Sequence, residues 1–358
     1  MKRSVNIIML SLLTMCYTAA QMDTTRVFKI FQFPQHQIPR IDGEFSDWDI
    51  VPESYAVGID QMKEDEGKHD APNKETLDIK VKVGWVKGLN RLYFLYEAYD
   101  DFWDFSNPGL EADIFEVVVD GDASGGPFID RFHPNKELSN WEKFYGYHGV
   151  HAQNYHIFTP AEDKSWCLAW GSQPWIKDFP YANSAYSYDF NHGESGKLQL
   201  EFYITLYDFA SPQGAHLSVE SKLYENKEIG LCWAVIDYDG NSKSKDGFWN
   251  LSPHHTMYGN ASLLRRFKLM LAEQEFVSDP KADWTFNIID HHKRIVSFKD
   301  NSTGNILKWK WDFGDGKSSE QQNPIHTYAE GGQYIVTLHI ETPNGTDKMT
   351  KVWDITLP

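Results

Sequence analysis

Ile79, Val81, Val83 and Trp85 alternate with Asp78, Lys80, Lys82 and Gly84. A two-residue period of this kind suits a β-strand with one buried face and does not suit a helix. The pattern recurs along most of the chain. The run 92–96 (Leu-Tyr-Phe-Leu-Tyr) follows the turn signal Lys87-Gly88-Leu89-Asn90. The run 114–119 closes on Asp120-Gly121-Asp122, and the run 231–236 closes on Asp237-Tyr238-Asp239-Gly240. Leu198, Leu200, Phe202 and Ile204 alternate with Lys197, Gln199, Glu201 and Tyr203, and residues 264–271 offer a closing strand. No amphipathic helix of useful length is predicted. Strands punctuated by Gly, Asp and Asn turns imply an all-β fold, a sandwich or a barrel.

A chain of 358 residues has room for two domains. Its formal charge of −17 repels a phosphate backbone and so argues against nucleic acid as a partner. The 13 Trp, 18 Tyr and 22 Phe supply ample ring surface for cores and for ligands. Residues 1–20 have the layout of a secretory signal: Lys2 and Arg3, a short apolar run at 7–13, then Thr18, Ala19 and Ala20. Export to the periplasm, the cell surface or the medium is expected, with lipid attachment at Cys16 less favoured because Met15 interrupts the lipobox. No segment is long and apolar enough to cross a bilayer as a helix. Cys167 and Cys232 can pair in an exported protein, but the apolar run around Cys232 favours a buried thiol.

Residues 272–282 are polar, contain Pro280 and read as a linker. Beyond them comes Lys308-Trp309-Lys310-Trp311-Asp312-Phe313-Gly314-Asp315-Gly316. Trp309 and Trp311 share one face of a strand and the lysines take the other, so the Asp/Gly run is a turn. The motif 311–316, with Asn323-Pro324-Ile325-His326-Thr327-Tyr328 and the run 332–338, resembles the PKD family, immunoglobulin-like domains named after polycystic kidney disease protein. The resemblance covers 283–358. It implies a small β-sandwich spacer and no chemistry of its own.

The larger region, 38–271, resembles family 9 carbohydrate-binding modules. Ile41-Asp42-Gly43-Glu44-Phe45-Ser46-Asp47-Trp48 is similar to the opening of that family. Val83-Gly84-Trp85, Asp100-Asp101, the run 113–120, the run 201–204 and the run 229–240 are similar to its later motifs. The resemblance implies an antiparallel β-sandwich that binds a polysaccharide or oligosaccharide, often with calcium. Glu116 is its carried-over hydroxyl partner. The family's clamp Trp is replaced here by Asn107-Pro108-Gly109-Leu110, with Trp103 earlier in the same loop.

Sugar binding requires flat aromatic faces and a few fixed hydrogen-bonding groups. Trp103, Trp249 and Tyr258, each expected in a loop near a strand end, are the candidate rings. Calcium requires clustered oxygens, and the two Asp turns, Asp120 with Asp122 and Asp237 with Asp239, are the candidates. Neither turn completes an EF-hand, because the twelfth position is Arg131 in one and Phe248 in the other. The adjacent pair His254-His255 would point to opposite faces of a strand, which disfavours a joint metal site. No catalytic residue stands out, since there is no Gly-x-Ser-x-Gly and no His-Glu-x-x-His. The leading expectation is a secreted, non-catalytic glycan-binding protein. The alternatives are a glycoside hydrolase with its site in the aromatic stretch 121–196, and a surface or adhesion protein that has lost its ligand.

Overall fold

The computed structural model describes residues 23–35, 37–105, 109–162, 164–240, 244–273, 280–304, 306–342 and 345–358. The expected export segment 1–20, Asn107 and Pro108 of the clamp slot and the centre of the expected linker lie outside the described residues. The chain divides into two compact units, Met1–Leu271 and Ala272–Pro358. Both are built of β-strands.

Two layers form the N-terminal unit. The first runs, edge inward, Cys167–Trp170, Gln153–Phe158, Ile114–Asp120, Glu228–Asp237, Arg265–Leu269 and Asp23–Phe33. The second runs Asp23–Phe33, Leu77–Val86, Arg91–Asp100, Gly196–Thr205 and Ala182–Tyr188. Asp23–Phe33 belongs to both, pairing in parallel first with Arg265–Leu269 and then with the end of Leu77–Val86. All other described pairings in this unit are antiparallel. The core lies between the layers. Phe115 of the first layer stacks on Tyr96 of the second at 4.2 Å, and Phe202 stacks on Phe94 at 4.6 Å. Cys167 and Cys232 are both buried and free.

The stretch 121–196 supplies edge strands to both layers, and its local sequence also makes one helix that the periodicity did not suggest. Asn140–Tyr147 starts at Ser139, whose hydroxyl accepts from Glu142 N at 3.2 Å while Ser139 N donates to Glu142 Oε2 at 2.8 Å. This reciprocal capping box satisfies two of the orphan amide donors and suffices for a short helix.

Register decides which side chains leave the core. Glu116 pairs with His156 and Asn154 pairs with Trp170. Phe115, Val117 and Tyr155 point inward, so the two-residue period sends Glu116, Asn154, His156 and Trp170 to the outer face of the first layer.

In the C-terminal unit, Trp284–Asp290, Ile295–Asp300 and Ile325–Thr327 form one sheet. Ser318–Ser319, Lys308–Asp312, Gly332–Thr342 and Gly345–Leu357 form the other. Trp311 is fully buried opposite Leu338, Trp309 is half-buried, and Lys308 and Lys310 are exposed. The run after Trp311 is a structural turn. Gly314 N donates to Asp312 Oδ1 and Lys317 N to Asp315 Oδ1, each at 3.0 Å. Gly314 has φ +79°, and a Cβ there would meet Ile335 O at 2.4 Å, so this position requires glycine. Asp315 Oδ2 lies 2.8 Å from His326 Nε2, tying the turn to the facing sheet.

Candidate functional site

The outer face of the first layer carries a cleft of about 550 Å³, within the range of small-ligand sites. Its floor is made by strand residues Glu116, Asn154, His156 and Trp170, and its walls include Arg131, His148 and Tyr258 from loops. Glu116, only 2% exposed, is its central charge. Its Oε1 accepts from Asn154 Nδ2 at 2.9 Å and from His156 Nε2 at 3.0 Å. Burial pushes this carboxyl up, but the facing His156 and the two hydrogen bonds outweigh it, and the net shift is downward.

His148 caps the helix Asn140–Tyr147, and its Nδ1 donates to Asp130 Oδ1 at 2.9 Å. Burial lowers its pKa against the opposing pull of Asp130, which favours the neutral ring. With Nδ1–H committed to Asp130, Nε2 is an acceptor. Four buried polar atoms of the cleft have no partner among the described residues: His148 Nε2, His156 Nδ1, Asn154 Oδ1 and Trp170 Nε1. Unpaired groups of this kind are costly unless a ligand or water completes them. Arg131 lies over the Tyr258 ring at 4.9 Å and the Phe132 ring at 5.0 Å.

The cleft therefore collects Glu116 and Tyr258 of the expected sugar-binding residues and leaves out the two tryptophans. Trp103 is 1% exposed, stacks on Phe190 at 5.0 Å and donates from Nε1 to Gly196 O, so it is a core ring. Trp249 is 4% exposed and covered by the His69 ring at 6.0 Å. Neither offers a free face to a sugar. Trp103 comes just after the strand Arg91–Asp100 and Trp249 lies within the strand Gly247–Asn250, so position near a strand end did not mean exposure. The residues that sequence reasoning missed, Asn154, His156, His148, Trp170 and Arg131, all lie in the aromatic stretch. The alternation Asn154, Tyr155, His156, Ile157 was their available signal, but its register against Glu116 was not legible.

A second constellation brings together strand ends of both layers. Carboxylate oxygens of Asp100, Asp113 and Asp237 lie within 4.8 Å of one another, as do those of Asp100, Asp101 and Asp239. Asp113 accepts from Tyr238 N at 2.8 Å and Asp104 N at 2.6 Å, and Asp100 accepts from Phe102 N at 2.9 Å. Asp237, 6% exposed, has a buried Oδ1 with no partner among the described residues, and Asp239 Oδ1 is in the same condition. Burial, then the neighbouring carboxylates, push Asp237 up to about 9 and Asp100 up to about 8. Asp113 is raised by burial, Asp100 and Asp237 together. Like charges at this spacing hold protons unless a cation replaces them. Closely set oxygens with no nitrogen or sulfur fit a hard dication such as calcium.

The other Asp turn lies elsewhere. Asp120 pairs opposite Gly230, whereas Asp237 follows Ile236, the partner of Ile114. The antiparallel register thus puts the two turns at opposite ends of one strand pair. Asp120 Oδ2 accepts from Gly125 N at 2.7 Å and Asp122 Oδ1 from Ser124 N at 3.0 Å, so much of that turn's oxygen set serves its own backbone. No group of three clustered ligands includes Asp120 or Asp122 among the described residues.

In the C-terminal unit the Phe313 and His326 rings stack at 4.1 Å beside the Asp312–Gly316 turn. Residues 277–357 match the PKD domain family model. Among curated relatives, the microbial collagenase of Vibrio alginolyticus is 37% identical over 79 residues, which is 20% of this chain and 10% of that protein. Collagenase ColQ1 of Bacillus cereus (strain Q1) is 33% identical over 63 residues, 16% of this chain and 6% of that protein. This chain therefore spans a small part of those relatives. Among solved structures, a family 9 carbohydrate-binding module from Caldicellulosiruptor kristjanssonii in complex with cellotriose is 15% identical, with a TM-score of 0.43. The match covers 71% of this chain and 98% of that one. The PKD1 domain of Vibrio anguillarum Epp is 27% identical, with a TM-score of 0.21, over 23% of this chain and 99% of that one. The PKD unit carries neither the cleft nor the acidic cluster; both belong to the N-terminal unit.

Proposed function

We propose that the N-terminal unit binds a neutral glycan in the cleft around Glu116 and that the PKD unit serves as a spacer. The observation that carries this reading is the set of unpartnered polar atoms beside aromatic faces. The cleft offers both kinds of partner: Asn154 Oδ1 and His148 Nε2 accept, and the Trp170 N–H and the Arg131 guanidinium donate. Hydroxyl groups donate and accept, so a polyol matches this set, and Trp170 and Tyr258 supply ring surface for the C–H face of a pyranose. The Glu116 carboxyl, held below its usual range, suits a hydrogen-bond acceptor for a sugar hydroxyl. Calcium in the Asp100, Asp113 and Asp237 cluster, with Asp101 and Asp239 beside it, is part of the same proposal. There it would neutralise the buried carboxylates and hold the strand ends together. Export of the chain completes the proposal and rests on the layout of residues 1–20.

Affinity electrophoresis of the full chain in a panel of neutral polysaccharides, with reducing ends assayed in parallel, tests the reading. Retardation without release of reducing ends is expected. Trp170→Ala and Tyr258→Ala should each weaken retention by about tenfold, in line with the roughly 1–3 kcal/mol that aromatic stacking on nucleobases contributes. Trp103→Ala is expected to act through folding stability instead. A wild-type chain that no glycan retards sinks the binding reading, and release of reducing ends moves hydrolysis to first place.

A further inference from the structure

The helix Asn140–Tyr147 is rich in aromatic side chains yet buries none of its residues. Trp141, Phe144, Tyr145 and His148 follow the i, i+3, i+4, i+7 spacing of an apolar stripe, which on an ordinary surface helix faces the core. Here Trp141 is 68% and Tyr145 50% exposed, and their rings lie nearly parallel at 5.4 Å. The other end of the stripe is inside the cleft. The Phe144 ring is 5.2 Å from His148, and His148 lies nearly parallel to Trp170 at 6.0 Å. One aromatic track thus runs from the exposed pair to the cleft floor.

We propose that Trp141 and Tyr145 form a second sugar-stacking platform. It takes a further pyranose residue of the glycan whose first residue lies in the cleft, so the site reads an oligosaccharide and not a single sugar. This rests on the glycan reading of the cleft. The helix does not need the pair for its own stability, because the capping box closes its first turn and neither ring reaches the core. A protein partner fits less well. Two such rings expose on the order of 250 Å², against about 800 Å² per partner in a standard protein interface. Continuity with the cleft favours a ligand long enough to touch both.

The test is titration calorimetry of the full chain with gluco-, xylo-, manno- and galacto-oligosaccharides of one to six residues. Affinity of the wild type should rise with length. The double variant Trp141→Ala/Tyr145→Ala should lose about tenfold or more for the longest bound oligosaccharide, a loss equivalent to roughly 1.4 kcal/mol. It should keep wild-type affinity for the shortest bound sugar and an unchanged melting temperature. Trp170→Ala should lose both affinities. A double variant that binds the longest oligosaccharide as the wild type does overturns the platform while leaving the cleft intact. So does a wild-type affinity that is independent of length. A wild type that binds no member of any series overturns the cleft reading and the platform with it. Sedimentation velocity adds one arm: a wild-type dimer that the double variant breaks assigns the rings to self-association and overturns the proposal.

Discussion

Replacing Trp311 by alanine is expected to destabilise the C-terminal unit by about 3–5 kcal/mol, the usual cost of removing a buried Trp. The ring is fully buried and packs on Trp284 at 5.6 Å and Phe298 at 5.3 Å. Its Nε1 donates to Gln321 O at 3.0 Å, so the substitution also removes a hydrogen bond. For a unit of this size each kcal/mol corresponds to about 4–8 °C, so the loss should exceed about 12 °C in calorimetry of the full chain. Trp309→Ala is the control. That ring is half-buried and anchored by Nε1 to Asp300 Oδ2 at 2.7 Å, so a smaller loss is expected. Equal effects of the two substitutions, or a Trp311 effect near zero, would contradict the buried-face assignment.

Calcium is expected to raise the melting temperature of the N-terminal unit over chelator. At a concentration a thousandfold above the dissociation constant the gain is about 4 kcal/mol, or roughly 8–16 °C for a unit of this size. The pH dependence follows from the raised carboxyls. Without metal, folded Asp100 and Asp237 hold their protons up to about 8 and 9, whereas the unfolded groups release them near 3.8. The folded state therefore binds the extra protons between about pH 4 and 9, and the cluster's contribution to stability is lost as pH rises through that window. Calcium takes the place of those protons, so the gap between calcium and chelator should widen from pH 5 to pH 9. Asp237→Asn supplies a neutral side chain that needs no proton to fold into the cluster. It should stabilise the chelated protein at pH 8 and abolish most of the calcium effect. Superimposable melts with and without millimolar calcium at pH 8 would remove the ion from the proposal.

These two cases differ in how much could be read from the chain alone. Trp311 needed only its spacing from Trp309 and the turn chemistry that follows it, all within ten residues. The acidic cluster needed three separate segments to converge. Asp237 and Asp239 were legible as an oxygen-rich turn, but their partners Asp100, Asp101 and Asp113 come from the end of Arg91–Asp100 and the loop before Ile114–Asp120. Asp120 and Asp122 carry the same local signature and are sent to the far end of the sheet by antiparallel pairing.

Local pattern alone determined the β-class, the strand positions, the Asp/Gly turns and the PKD motif. Each of these depends on the two-residue period or on turn residues near in sequence, where the physics is short-range. Tertiary structure decided which aromatics are sealed and which are open. Trp103 and Trp249 were equal candidates beside Trp170 and Trp141 by composition, and only cross-strand register and loop folding separate them. A side chain's exposure depends on what the rest of the chain lays over it. For Trp103 that cover is Phe190 and for Trp249 it is His69, each far away in sequence, so no local period could foretell it.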